Sequence, residues 1–519
     1  MNFRWHTRAL LAVGSGVALA LSFPNYNLSL LAWLSVGMLI LASVGARPAE
    51  SLLYGFLHGQ VFYPVCLPWI AVVIKQYGEV DPWTSAGVVA LIGLAGGIIW
   101  STFSFSIAWV ARRNKLLACI FGPFFWVVLE FARTHLPYIG FPWNLTGYAA
   151  RGSLALLQIT PVTGIYGLSC LIAAFSSLAA YAVLSKSPTA WKALAITVAV
   201  LLLVAVGGGY LVPKAQARFT AHLVQTDFPQ SEHYPRNWMQ IHADELDELE
   251  HISVDAAKRR PGLVVWPETP APFSMQDPVF AMRAARLAEE ADSDFLVGAV
   301  DWKLNPQRQW EASNSAVLLD SHGQRIFSYD KVHLVPFGEY VPLRQWIKFA
   351  GRLTADISDF TPGTDYRIGQ LPGLDASAPY ADPQFGVFIC YEAIFPDEVR
   401  QFAHNGAQLL INISNDGWFG RSAAPEQHLM MARFRAIENR RWLLRDTNNG
   451  FTESIDPYGR VVASMPADIR GELDAPYDLR SDLTPYARFG DWFAWLCILA
   501  SMALLAYAFK QTYRREFKK

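Results

Sequence analysis

The stretch that decides the fold of this chain is Phe385-Gly386-Val387-Phe388-Ile389-Cys390-Tyr391-Glu392. Its aromatic and β-branched residues predict a buried strand that ends at Cys390. Pro396 then stands where a helix can begin, and Gly406 stands where that helix can end. Because open α/β sheets keep reactive groups at the carboxyl ends of their strands, Cys390 occupies a position suited to chemistry. The alternative is an inert buried thiol, which is the commoner fate of a free cysteine.

The composition indicates a membrane protein with a water-soluble part. Of its 519 residues, 52% are hydrophobic, and the net charge is −1. Seven stretches nearly free of charge lie within the first 213 residues, and an eighth lies near the C-terminus. Most of them approach the roughly 20 residues that cross a bilayer. The first is short enough to suggest a signal peptide, but the apolar pattern continues directly after it, so we favour a retained span. The predicted spans are 10–23, 28–44, 52–74, 84–111, 116–131, 165–184, 191–212 and 489–509.

The basic residues predict the orientation of these spans. Thirteen Lys and Arg residues lie on one predicted side of the membrane and three on the other. The positive-inside rule then places both termini in the cytoplasm and the long segment between the last two spans outside it. The chain is therefore expected to contain a seven-span domain at 1–213, an exported domain at 214–488, and a C-terminal span with a basic tail at 489–519. The thirteen are Arg4, Arg8, Arg47, Arg112, Arg113, Lys115, Lys186, Lys192, Lys510, Arg514, Arg515, Lys518 and Lys519; the three are Lys75, Arg133 and Arg151.

Cys390 is the only cysteine in the predicted exported domain. The other four, Cys66, Cys119, Cys170 and Cys497, fall in predicted spans. Outside the cytoplasm thiols are usually paired in disulfides, and Cys390 has no partner in its own domain. We therefore interpret it as a candidate nucleophile.

One ionisable pair lies in the predicted membrane part. Glu130 and Arg133 are one helical turn apart near the end of the fifth span. Ionisable groups within a membrane are costly and usually functional. A structural ion pair at the interface explains them equally well.

The predicted exported domain alternates between strand-like and helical patterns, which indicates an α/β domain with helices covering the sheet. It has no P-loop, no Cys/His cluster with the spacing of a zinc site and no basic stripe, so we expect no cofactor, no metal and no nucleic acid. The predicted strands are 221–225, 262–266, 295–300, 315–319, 325–329, 385–389, 408–413, 451–455 and 460–464. The predicted helices are 237–259, 277–291 and 425–441, in addition to the one that begins at Pro396 and ends at Gly406.

Reactive side chains follow three of these strands. Glu268 comes after a buried strand, Lys331 follows another, and Cys390 ends a third. A thiol, a carboxylate and an ammonium at strand ends can converge into a site for nucleophilic catalysis. Each also has an ordinary interpretation, because Glu268 can cap a helix, Lys331 can face solvent, and Glu339 can simply pair with Lys331.

Together these motifs resemble a known superfamily. Trp-Pro-Glu at 266–268, Tyr-Asp-Lys-Val-His-Leu-Val-Pro-Phe-Gly-Glu at 329–339 and Cys-Tyr-Glu at 390–392 resemble the nitrilase, or carbon–nitrogen hydrolase, superfamily. That resemblance implies an αββα sandwich and a Glu268–Lys331–Cys390 triad. About eight spans around such a domain are similar to the apolipoprotein N-acyltransferase family, as are the segments 415–420 and 447–450. That family often carries a tryptophan after the domain's first strand, where this chain offers Tyr234 or Trp238.

The resemblance implies a two-step acyl transfer in a bacterial inner membrane, with the catalytic domain on the periplasmic side. The donor would be a phospholipid, expected to be phosphatidylethanolamine. The acceptor would be the α-amino group of the N-terminal S-diacylglyceryl-cysteine of an apolipoprotein. Cys390 would form a thioester, Glu268 would act as the base, and Lys331 would stabilise the oxyanion. The supporting residues would be Glu339 and Glu392, which hold Lys331 and the acceptor amine, and Tyr391 beside the thioester.

The pattern of residues in the segment 342–353 indicates a route by which lipid reaches the thiol. Trp346 and Phe349 lie on one helical stripe, and basic residues form another, which is typical of a helix on a membrane surface. We interpret it as a lid with hinges at Gly351 and Gly363. An ordinary helix packed on the sheet is the alternative.

Two other functions fit parts of the pattern. A membrane-tethered amidase or nitrilase would use the same triad with water in place of the amine, although such hydrolysis needs no bilayer. A transporter or receptor would use the exported domain only for binding, and spans so poor in buried charge speak against solute translocation.

Overall fold

The computed structural model describes residues 3–77, 81–136, 140–231, 234–340, 360–374 and 383–516. The chain divides into two compact units. The first contains Met1–Lys75, Val80–Pro213 and Phe489–Lys519, and the second contains Gln76–Glu79 and Lys214–Arg488.

The first unit is helical. Five of its described helices are long and apolar enough to cross a membrane, and α3 with α4, bent by 55°, counts as a sixth if the two form one broken span. The helices α1 and α2 cover the first two predicted spans but have only 16 and 12 residues. The eight-span topology therefore stays a prediction. The helices are α1 Trp5–Ala20, α2 Ala32–Ser43, α3 Pro48–Cys66, α4 Trp69–Tyr77, α5 Pro82–Ala111, α6 Lys115–Thr134, α7 Leu154–Leu157, α8 Thr160–Thr163, α9 Ile165–Ser185, α10 Pro188–Gly207 and, at the C-terminus, Trp492–Glu516.

Two of the long helices begin at side-chain caps. The carboxylate of Asp81 accepts from the backbone N–H groups of Trp83 and Thr84 at the start of α5. The amide oxygen of Asn114 accepts from the N–H of Leu116 at the start of α6. These caps satisfy N–H groups that have no partner within their own helix.

Glu130 and Arg133 are buried in α6, and within the described residues no ion pair joins them. Glu130 Oε1 accepts from the backbone N–H of Thr146 at 2.7 Å, and Arg133 Nη1 donates to the carbonyl of Trp143 at 3.2 Å. Each side chain therefore ties the segment after α6 back onto that helix.

The second unit is built on two six-stranded mixed sheets. Their strand orders are β12-β1-β2-β3-β4-β5 and β11-β10-β9-β8-β7-β6. The parallel strands are β1, β2 and β3 in the first sheet and β7, β8 and β9 in the second. The strands are β1 Phe219–Gln225, β2 Val264–Val265, β3 Phe295–Leu304, β4 Trp310–Leu319, β5 Arg325–Asp330, β6 Gly369–Gln370, β7 Gln384–Ile389, β8 Leu409–Ser414, β9 Trp442–Thr447, β10 Thr452–Ile455, β11 Val461–Met465 and β12 Gly471–Tyr477. The helices are α11 Trp238–Ile241, α12 Ala243–Arg259, α13 Pro278–Ala291, α14 Pro396–His404, α15 Ala424–Asn439 and α16 Pro485–Phe489.

The two sheets share one buried core, and helices cover their outer faces. Leu223 of β1 belongs to the core that also contains Val387 of β7, whereas its neighbour Val224 packs with Leu249 of α12. This alternation follows from the two-residue period of a strand. Helix α14 packs on the second sheet through Val399, which is buried in the same cluster as Val387. The predicted αββα sandwich is confirmed.

Candidate active site

Cys390 lies at the carboxyl end of β7 in a backbone conformation that few side chains adopt. β7 runs parallel to β8, and the pairing ends at Ile389 and Ile413. Cys390 then has a φ of +46° and begins a 3-10 turn, Cys390–Ile394. A left-handed backbone at a residue other than glycine costs about 1–3 kcal/mol and is concentrated at functional sites. The turn holds the thiol at the strand-end position that the sequence predicts.

Glu268 reaches the site from the first sheet. It follows β2 and is 4% exposed. Its Oε1 accepts from Lys331 Nζ at 3.1 Å and from Asn314 Nδ2 at 2.7 Å. Its Oε2 accepts from the backbone N–H of Asn415 at 2.9 Å. Because both oxygens accept hydrogen bonds, the orientation of the Glu268 carboxylate is fixed.

Lys331 follows β5 and is buried between two carboxylates. Its Nζ lies 3.1 Å from Glu268 Oε1 and 2.9 Å from Glu339 Oε1. Burial by itself would lower the pKa of the ammonium, but Glu268 and Glu339 outweigh burial and hold the pKa of Lys331 well above its ordinary value. Lys331 is therefore a fixed positive charge at neutral pH, which suits it to stabilise a developing oxyanion.

Glu339 and Asn314 complete the surroundings of Lys331. Glu339 Oε1 accepts from both Lys331 Nζ and Asn314 Nδ2, the latter at 2.8 Å, while its Oε2 accepts from the backbone N–H of Val335 at 2.7 Å. Asn314 was not predicted from the sequence. It belongs to a polar run, 313–315, within the buried part of β4, and that run was the available signal.

The surroundings of Cys390 favour the neutral form of its thiol. Burial, and after it the charge of Glu268, raises the pKa of the thiol, and Lys331 only partly opposes this shift. Since the thiolate is the attacking species, a base must take the proton as the attack begins. Of the two carboxylates that raise the pKa of this thiol, Glu268 has a larger effect than Asp416. The arrangement can therefore support nucleophilic attack by Cys390 with Glu268 as the base.

Glu392 links the turn at Cys390 to the segment around Lys331. Its Oε1 accepts from the hydroxyl of Tyr329 and the backbone N–H of Val332, both at 2.7 Å, and its Oε2 accepts from the N–H of Ile389 at 2.6 Å. Burial raises the pKa of Glu392 to about 7, although these donors oppose the shift. Its contacts are those of a brace between two parts of the site.

Of the remaining predicted site residues, Tyr391 lies within the described part of the chain. Tyr391 is buried, with its ring 5.7 Å from that of His333 and 5.2 Å from that of Phe395. Trp346 and Phe349, the predicted lid residues, lie outside the described residues, as does Gly351.

One group of side chains here has the composition of a metal site. Cys390, Asp416 and His428 are buried, and each offers a potential ligand atom within 4.8 Å of the others. However, Asp416 Oδ2 accepts from the guanidinium of Arg445 at 2.7 Å. This fixed positive charge opposes a second cation, so the group fits a hydrogen-bond network better than a metal centre.

Both units match known families. Residues 15–178 match the family model of the apolipoprotein N-acyltransferase N-terminal domain, and residues 231–481 match that of carbon-nitrogen hydrolase. The apolipoprotein N-acyltransferase of Geobacter metallireducens is 36% identical, over 97% of this chain and 95% of its own length. That of Methylococcus capsulatus is 32% identical, over 93% and 92%. The chain belongs to the apolipoprotein N-acyltransferase family.

Among solved structures, an amidase from Nesterenkonia sp. is 21% identical, with a TM-score of 0.36, and the match covers 51% of this chain and 93% of that chain.

Trp238 and Tyr234, the two candidates for the tryptophan that this family often carries after the first strand, pack in one apolar cluster. Trp238 is buried in the helical layer, with its ring 5.0 Å from that of Phe228 and 4.4 Å from that of His242. Tyr234 is partly buried against the same cluster. These contacts are those of core residues.

Proposed function

We propose that this chain transfers an acyl group from a phospholipid to the α-amino group of the N-terminal S-diacylglyceryl-cysteine of apolipoproteins, the last step of lipoprotein maturation. The observation that carries the proposal is the buried Cys390 beside Glu268 and Lys331, in a chain whose other unit includes five described helices long and apolar enough to cross a membrane. Relatives that bear the corresponding name match nearly the whole chain.

In the first half-reaction the thiol of Cys390 attacks an ester carbonyl of the phospholipid. Glu268 takes the thiol proton as the C–S bond forms, and Lys331 stabilises the negative charge on the carbonyl oxygen. Loss of one such donor typically lowers a rate by about 100- to 1,000-fold. The C–O bond then breaks, Glu268 returns the proton to the leaving oxygen, and the lysophospholipid departs from an acyl-thioester at Cys390.

In the second half-reaction the acceptor amine attacks the thioester. An α-amino group with a pKa of about 8 is mostly protonated at neutral pH, so one proton must first pass to solvent to free the attacking amine. Glu268 then takes the second proton from the nitrogen as the C–N bond forms. The C–N bond forms, the C–S bond breaks, and the proton passes to the thiolate of Cys390. The free thiol is restored, and the product is an amide.

The first unit supports a lipid donor. Carrying an acyl chain of about sixteen carbons through water costs roughly 12 kcal/mol at about 0.8 kcal/mol per methylene. An enzyme for such chains should therefore work at the membrane surface. We infer a multi-pass protein of the bacterial inner membrane, with both termini cytoplasmic, the second unit periplasmic, and phosphatidylethanolamine as the donor.

The test is intact-mass measurement of the detergent-purified protein after incubation with phosphatidylethanolamine. The parent should gain one acyl mass that neutral hydroxylamine removes, and Cys390→Ala should gain none. Cys119→Ala, a change in α6, is the matched control and should behave like the parent. An acyl mass that persists in Cys390→Ala would overturn the mechanism.

A second arm separates acyl transfer from hydrolysis. The acylated parent is mixed with a diacylglyceryl-cysteine peptide or with buffer alone. Acyl transfer predicts an N-acylated peptide and slow decay of the thioester in buffer. Rapid release of free fatty acid with no acylated peptide would instead indicate a hydrolase. The same assay with phosphatidylglycerol tests the donor preference.

A further inference from the structure

His428 is a fully buried side chain that contacts the backbone of Cys390. It lies in α15, and its Nε2 is 2.9 Å from the carbonyl oxygen of Cys390. A carbonyl oxygen can only accept, so Nε2 must carry a proton and donate it. The tautomer protonated only on Nδ1 is therefore excluded.

The other nitrogen of the imidazole faces Asp416 and Arg445. His428 Nδ1 lies 3.0 Å from Asp416 Oδ1 and 3.2 Å from Arg445 Nη2. Asp416 also accepts from Arg445 Nη2 at 2.7 Å and from the hydroxyl of Ser414 at 2.8 Å. Burial would raise the pKa of Asp416, but Arg445 and His428 outweigh it and keep the pKa below its usual range. The lowered pKa favours the ionised form of Asp416, which accepts these hydrogen bonds.

The backbone leaves room for this carboxylate. Asp416 follows β8, and Gly450 follows β9, the next strand of the same sheet. A Cβ at Gly450 would stand 2.4 Å from Asp416 Oδ2, so only glycine permits this approach. Gly450 therefore leaves space for the carboxylate of Asp416, which contacts His428.

We propose that His428 is a positioning residue for the acylation of Cys390. By donating to the Cys390 carbonyl, it holds the peptide that follows a residue with a φ of +46°. The carbonyl of Cys390 and the N–H of Tyr391 belong to one planar peptide and point in opposite directions, so fixing the first fixes the second. This hydrogen bond therefore fixes the position of the thiol relative to Glu268 and Lys331. A displacement of a reacting group by about 1 Å can lower a rate on the order of 100-fold.

The experiment follows the first-order rate of acyl-Cys390 formation with phosphatidylethanolamine in single turnover, and it rests on the proposed function. His428→Gln keeps an N–H donor near the position of Nε2, whereas His428→Asn is too short to reach the Cys390 carbonyl. We expect less than a tenfold loss of rate for His428→Gln and at least a hundredfold loss for His428→Asn. The apparent KM for phospholipid should stay within twofold of the parent.

A second buried histidine provides the matched control. His222 has the same pattern of contacts, with Nδ1 2.9 Å from Glu472 and Nε2 2.7 Å from the carbonyl of Arg260. His222→Asn should lower the thermal unfolding midpoint as much as His428→Asn does but leave the acylation rate within threefold. If both substitutions lower the rate equally, or if His428→Gln is as slow as His428→Asn, His428 is only a core residue.

Two further measurements keep the outcomes distinct. Absence of acylation in the parent overturns the proposed function. In that case the rate at which iodoacetamide alkylates Cys390, a reaction that needs no lipid, still compares the histidine variants. If His428→Asn does not fold, Asp416→Asn replaces it, and a rate equal to that of the parent would overturn the positioning role.

Discussion

The side-chain amide of Asn314 donates to Oε1 of Glu268 across 2.7 Å, and this is the oxygen that also accepts from Lys331 Nζ. The same amide nitrogen lies 2.8 Å from Glu339 Oε1. One neutral donor thus bridges the two carboxylates that flank the lysine. Without it, Lys331 would be the one side chain within the described residues that donates to both carboxylates.

We expect Asn314→Ala to lower the rate of acyl-Cys390 formation by about 10- to 100-fold, because Glu268 loses one of the donors that orient it. Asn314→Asp should lose more, since it sets a third carboxylate against Glu268 and Glu339. Single-turnover acylation measures both. Asn405→Ala, at an exposed position after α14, is the control, and a rate for Asn314→Ala equal to that of the control would contradict the prediction.

Alkylation of Cys390 should report its raised pKa. Because burial and Glu268 move the pKa upward, the thiolate fraction is small at neutral pH and grows with pH, so the rate of reaction with iodoacetamide should rise through pH 9 without a plateau. Lys331→Met removes the charge that lowers this pKa and should slow alkylation at pH 8 by about tenfold or more. Peptide mass mapping separates Cys390 from the other cysteines. A plateau near pH 7 in the parent would show that the thiol is already ionised there.

Glu392→Gln should destabilise the second unit. The carboxylate accepts from the backbone N–H groups of Val332 and Ile389, but an amide offers only one oxygen and places an NH₂ group against one of these donors. Each buried donor left unpaired costs about 1–3 kcal/mol. For a unit of this size we expect the unfolding midpoint to fall by roughly 2–4 °C per kcal/mol. Glu289→Gln, on an exposed face of α13, should leave the midpoint unchanged, and equal midpoints for both variants would refute the bracing role.

Cysteine accessibility tests the predicted orientation. In a background without the five native cysteines, Lys115→Cys at the start of α6 should resist a membrane-impermeant maleimide added to intact spheroplasts, because the basic residues predict that this end is cytoplasmic. Lys258→Cys, at an exposed position of α12, should react. Efficient labelling at position 115 before permeabilisation would contradict the predicted topology, because it would place the start of α6 outside the cytoplasm.

The sequence by itself determined the elements whose signals are local. Strand ends are marked by a change from apolar to polar residues, as at Cys390. Helix ends are marked by residues such as Asp277, whose carboxylate caps α13, and Gly406, which has a φ of +110° after α14. The predicted hairpin at 315–329 is confirmed as the pair β4 and β5 for the same reason. Such signals depend on only a few neighbouring residues.

Two of the strands that were not predicted, β9 and β12, carry charges that only distant partners neutralise. Strand β9 contains Arg445, which has no exposed surface and pairs with Asp416. Strand β12 contains Glu472, whose carboxylate accepts from His222. Read locally, charged residues argue against a buried strand. The partners that reverse this argument lie in other elements and become visible only in the folded chain.

The convergence of the site was likewise decided by the tertiary structure. Motifs in the sequence indicated Glu268, Lys331 and Cys390 as candidates, but nothing local showed that Asn415 would donate to Glu268 across 147 residues or that His428 would reach the carbonyl of Cys390. Local patterns show where each strand ends, because they reflect burial along one segment. Which strand ends meet depends on how two sheets pack face to face, and that is a property of the whole core.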